Sequence, residues 1–437
     1  MSTTPASPPA EPTGPTGPTA SATGRHADVP PPRSAPAAES TTRTGGTGST
    51  GHTATRTLPW WGFGLANVAV VTVVSVVVWW LLVDPQWSVV GSYPQPFNAV
   101  LFWIIISTVW VAFTCGWTGP SRLAQPLRGF VGILLPIAIG AAVTSLLAFG
   151  WGAIDPSFAA SRAEGAGFGT GQVIVLFAFF FYVTAVVNWG QWPWAGRLAQ
   201  PWVGLAELGA LVLPTLVVFG VLAMPTLATW AEPSSALIGT ATLTGWFYSV
   251  IVAVVVTGLI WDNLPWALAG GGARTMLASL VGNLVLGTGI YFLDLGLAEL
   301  LMGPANVAAL GDGITKYAAE FGVCWVFWMV AWANVFGNKP TGLGTVANLA
   351  VRALVTLLLG VGTFLLYSFL FAGGVLHEPT AGATLQGEPL GFMDLMVLVT
   401  LFYVLFLDSL GLPRPTADAA AADAETIAVE TAGAEHA

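Results

Sequence analysis

The chain has 437 residues, 55% hydrophobic and 8% charged, with 52 Gly, 20 Trp and a mean hydropathy of +0.74. No protein that folds in water reaches these values, so this is an integral membrane protein. The net charge of -9, from 13 Lys+Arg against 22 Asp+Glu, excludes a nucleic-acid partner, which needs a clustered basic face.

Residues 1–58 are built mainly from Pro, Thr, Ser, Gly and Ala, a composition that cannot repay the entropy of folding, and they are expected to be a disordered cytoplasmic tail. No apolar stretch follows the first Met within thirty residues, so the tail does not read as a signal peptide. A transmembrane domain is expected over 59–413. Its apolar runs lie near 61–83, 97–115, 127–150, 172–190, 202–225, 242–261, 274–295, 321–337, 347–372 and 391–410. Each approaches the roughly 20 helical residues that cross a bilayer, and none alternates as a barrel strand does. The expected fold is therefore an all-α polytopic membrane protein of about ten transmembrane helices. Residues 414–437 are Ala-rich and acidic and read as a second disordered cytoplasmic tail.

Eleven of the thirteen basic residues fall on the side of the N-terminus, leaving Arg162 and Lys316 on the other. By the positive-inside rule both termini are cytoplasmic, which requires an even number of helices. The tail composition points to a GC-rich bacterial genome and hence to the plasma membrane.

The chain also repeats itself. Arg122-Leu123-Ala124-Gln125-Pro126 recurs as Arg197-Leu198-Ala199-Gln200-Pro201, and Pro120, Pro193, Pro265, Pro340 and Pro413 each close an apolar helix on the cytoplasmic side. This spacing predicts tandem parallel two-helix repeats of about 73 residues, related by an axis along the membrane normal. The first and last helices would supply a fifth hairpin and close a ring.

Ionisable groups inside hydrocarbon are expensive, which makes them the first functional candidates. Glu207 and Arg352 lie at similar shallow depths near the cytoplasmic ends of their helices. Brought together they would neutralise each other at an inner mouth; apart, each would snorkel to the headgroups. With Asn283 and Asn334 they form the expected substrate pathway. Asp294 and Glu299 are expected at the outer interface, and Asp312, Lys316 and Glu320, spaced i, i+4, i+8, on a solvated face.

No catalytic residue is expected, because no HxxxH, HExxH, GxSxG or nucleotide-binding motif is present. Cys115 and Cys324 sit in separate runs, and His26, His52 and His436 are in the tails, which leaves His377 alone; no metal or other cofactor is expected. The sequence reads as a non-enzymatic permease or channel-like transporter of a small solute or ion. The alternative is a non-catalytic subunit or scaffold with a membrane or soluble partner. The lipid bilayer is its surrounding in either case.

Overall fold

The computed structural model describes residues 58–162, 165–224 and 237–413, so the two expected tails, Leu58 apart, lie outside the described residues. Among the described residues the fold is helical, with isolated bridges and no strand. Nine helices among these residues are long and apolar enough to cross a membrane. They are α1 (Trp60–Leu82), α2 (Phe97–Thr108), α3 (Leu127–Ser145), α4 (Ala166–Val187), α5 (Trp202–Leu222), α6 (Thr240–Val255), α7 (Gly272–Met302), α10 (Thr345–Leu366) and α12 (Pro389–Leu401). Of these, α2, α3, α6, α10 and α12 end in π turns, and α11 (Ala372–Val375) continues α10. The short α8 (Pro304–Leu310) and α9 (Tyr317–Asn334) lie between α7 and α10.

The loops gather at two ends. One end joins Asn188 to Asn263, Gln125 to Asp408 and Arg352 to Asp262. The other joins Asp84 to His377, Gln95 to Gln172 and Asn306 to Thr384. The first end carries Arg122, Arg128, Arg197, Arg274, Lys339 and Arg352 and is called basic here; the second carries Asp84, Glu378 and Glu388 and is called acidic. Helix α9 runs between them, since Lys316 before it meets Glu388 and Asn338 after it bonds the Leu259 carbonyl.

Burial alternates along the chain. The apolar windows of α1, α3, α5, α7 and α10 are 17 to 28% buried, whereas those of α2, α4, α6 and α12 are 61 to 83% buried. Helix α9 belongs with the second group, with fourteen of its 18 residues buried. Each weakly buried helix turns one narrow stripe inward: Gly64, Asn67, Val71, Ser75 and Trp79 in α1, and Gly129, Gly132, Pro136, Gly140 and Thr144 in α3. Their other faces are as apolar as the stripe, as suits side chains turned toward lipid. The inner helices touch in the cyclic order α2, α4, α6, α9, α12 and back to α2; α3, α5, α7, α10 and α1 pack outside α2, α4, α6, α9 and α12 respectively. Small residues set the spacing: a Cβ on Gly140 would stand 2.7 Å from the backbone nitrogen of Ile104 in α2.

Every inner helix ends at the basic end in the same way. The amides of Trp117, Gln191, Asn263, Asn338 and Ser409 donate to the carbonyls six residues back, at 2.8 to 3.0 Å. The chain reaches this bond through left-handed residues: Gly190-Gln191, Asp262-Asn263, Gly337-Asn338 and Asp408-Ser409. Glycine, asparagine and aspartate are the types that take this conformation most readily. The corners also tie to their neighbours. Gln191 and Gln200 donate to the Thr114 carbonyl, Asn263 to the Asn188 carbonyl and Asn338 to the Leu259 carbonyl. Gln125 donates at 2.9 Å to Phe406, linking the first such loop to the last inner helix.

Candidate functional site

At the acidic end the mouth of the helix ring forms a cavity of about 280 Å³. Each inner helix contributes: α2 through Asn98 and Phe102, α4 through Gln172 and Leu176, α6 through Thr240 and Thr244, α9 through Lys316 at its N-cap, and α12 through Leu390 and Gly391. Trp79, Tyr93, Glu378 and Glu388 complete the wall. Gly391 leaves room for Asn98, whose Oδ1 would be 2.7 Å from an added Cβ. One turn deeper, the Tyr248 hydroxyl donates to Asp394 Oδ1 at 2.8 Å. These residues sit on α6 and α12, which flank α9 in the ring, so the bond links two inner helices that are not adjacent.

The charges in the wall are interlocked. Lys316, 30% exposed, meets Glu320 Oε1 at 3.1 Å and also Glu388 Oε2. Glu320 is fully buried, and its Oε2 accepts the Leu390 amide at 2.6 Å, so it also caps the positive N-terminal end of α12. Burial opposes the charge on Lys316, but Glu320 and Glu388 outweigh it and push the ammonium pKa up. Glu378 accepts from the Tyr367 hydroxyl and, at 3.0 Å, from the Glu388 amide. Burial is the main cause that pushes the Glu378 carboxyl up to about 8, with Glu320 and Glu388 adding and the two hydrogen bonds opposing. Burial beside the same carboxylates also pushes up the Tyr93 hydroxyl. Outside this cluster, His377 Nδ1 lies 2.8 Å from the buried Asp84, whose other oxygen accepts two turn amides, from Gln86 and Trp87.

Several expectations change here. Lys316 and Glu320 do share a face, but Glu320 on it is fully buried, because α9 is one of the inner helices; Asp312 alone of the three is exposed. Asp294 is fully buried and accepts from Ser249 at 3.2 Å. Helix α7 runs on to Met302, past the apolar run that ends near 295, so Asp294 lies about 12 Å short of the helix end.

Glu207 and Arg352 do not meet. Arg352 pairs with Asp262 at 3.0 Å and donates to the carbonyls of Pro340, at 3.0 Å, and Ile260, at 3.4 Å. Glu207 is 2% exposed, and among the described residues neither of its carboxylate oxygens has a hydrogen-bond partner. Gln191 beside it directs its Nε2 to the Thr114 carbonyl. Asn283 is buried at the basic end, where Asn188, Thr257 and Trp266 satisfy its amide at 2.9 to 3.1 Å. Asn334 bonds the Val330 carbonyl within its own helix. None of these four lines the axial cavity. The residues that do were missed because Glu378 and Glu388 stand in a loop, where no periodicity reports burial.

Among the described residues no group of three His, Cys, Asp or Glu side chains is placed to hold a metal ion. Compared with family models, curated proteins and solved structures, the chain matches none.

Proposed function

We propose that the protein is a permease for a small solute, with the axial cavity as its binding site and the Tyr248–Asp394 bond as the barrier beneath it. The axial cavity carries this reading: all five inner helices converge on it. Keeping Asp394 buried within α12 is costly in a membrane, and a scaffold has no use for it. In this reading α9 is the tenth span. The recurring corner bonds and the matched stripes of α1 and α3 support five parallel two-helix units, with α12 and α1 as the fifth. The basic end faces the cytoplasm of a bacterium, together with both termini, and the acidic end faces outward.

The test uses the full chain in liposomes loaded with a defined mixture of cationic, neutral and anionic solutes of fewer than about ten heavy atoms. Loss from the lumen is followed by mass spectrometry against protein-free vesicles. Faster loss of at least one solute, abolished by Thr244→Trp in the cavity wall, is expected. No accelerated loss, together with a stoichiometric partner chain on mild purification, would replace the permease with the membrane-subunit reading.

A further inference from the structure

Resting on that reading, we propose that the axial cavity takes a small organic ammonium ion, its charge held between Glu378 and Glu388 and its carbon stem against Trp79, Tyr93 and Phe102. Lys316 is the single base in the cavity wall and is already engaged by Glu320 and Glu388, which leaves the group negative before Glu378 is counted. An anion would meet repulsion here. Tyr317, 1% exposed, lies beside the same carboxylates without lining the cavity. A bare metal ion fits less well, because among the described residues no three His, Cys, Asp or Glu side chains are placed to hold one. Aromatic faces attract an ammonium group and also shelter its stem.

The site also couples cation to proton. The groups facing Glu378 are Tyr367 from the turn after α10, Tyr93 from the segment before α2, Glu388 from its own loop, and Lys316, Tyr317 and Glu320 from α9. His377, next in the chain, is held by Asp84. With its pKa at about 8, Glu378 keeps its proton in the empty cavity at pH 7. An arriving ammonium ion favours the carboxylate, so the carboxylic acid and R–NH3+ become the carboxylate–ammonium pair, and one proton leaves to solvent. The site would then exchange a cation for a proton.

The probes are n-butylammonium, butyrate and n-butanol, titrated calorimetrically into the full chain in lipid nanodiscs. Buffers of different ionisation enthalpy count the protons released. The ammonium ion should bind at least tenfold more tightly than the other two, releasing close to one proton at pH 6.5 and almost none at pH 9.5. Glu378→Gln should weaken binding at least tenfold and remove the release. Glu388→Gln should weaken binding and keep the release. If Glu378→Gln does not fold, the wild-type selectivity and the pH dependence of proton release still decide. Binding of none of the three probes, equal binding of butyrate or butanol, or release unchanged at pH 9.5 overturns the assignment. Should butylammonium bind while no solute leaves the loaded liposomes, the site stands and transport falls. Should neutral or anionic solutes leave while butylammonium fails to bind, transport stands and the cation assignment falls.

Discussion

Arg352 shows how a full charge is kept inside the helix bundle: two backbone carbonyls and Asp262 surround a side chain that is 5% exposed. Asp262 is itself 64% exposed, so the pair is screened, and the carbonyls hold the guanidinium as much as the carboxylate does. The double exchange Glu207→Arg with Arg352→Glu should therefore rescue nothing that the single exchanges lose, as measured by thermal unfolding in detergent. Asp262→Asn should lower stability by no more than about 1 kcal/mol. A rescue by the double exchange would contradict the observed partners. The sequence made Glu207 and Arg352 look like a pair because position along a helix fixes depth, at about 1.5 Å per residue, but not the direction a side chain faces. Depth agreed; direction did not.

The helices owe their fit to a few positions where two backbones or two amides must meet. Gly140 lies against Ile104, whereas Gly289 faces open space. Gly140→Ala should thus lower the melting temperature clearly and Gly289→Ala hardly at all, a contrast that composition alone does not supply. The amide of Asn188 joins three elements through Asn263, Thr257 and Asn283. Asn188→Ala leaves these partners unmatched and should cost about 1 to 3 kcal/mol in chemical unfolding, whereas Asn334→Ala, whose bond lies within one helix, should stay within about 0.5 kcal/mol. Hydropathy made helix positions legible to within a few residues. It hid the length of α7, because Asp294 and Glu299 interrupt the apolar run while the helix continues to Met302. It also missed the burial of Glu320, since an i, i+4 pair reads the same on an inner face as on an outer one.

For the whole molecule, the separation of bases from acids between the two ends was visible in the loops, while the cyclic contact order needed the fold. Cysteines placed at Ser121 and Gly196, both exposed at the basic end, should react with an impermeant maleimide from one side of sealed vesicles, and a cysteine at the exposed Asp312 from the other. Labelling of Ser121 and Asp312 from the same side would break the alternation of ends.

Five is an odd number, and a ring of five helices has no midline. Transport by rocking two equal halves needs such a line, and here any plane through the axis leaves unequal portions. Four of the five junctions are laced by the chain itself, which passes out through α3, α5, α7 or α10 and returns to the next inner helix. The fifth, between α12 and α2, is spanned by the segment that runs from α1, packed outside α12, to α2, so α12 is the one inner helix not followed directly by its outer partner; side-chain packing and the Gln125 bonds to Phe406 and Asp408 hold it. The break in the covalent weave thus falls between α12 and α1, which only packing joins directly. Movement that frees Tyr248 from Asp394, itself on α12, therefore has a natural place to begin.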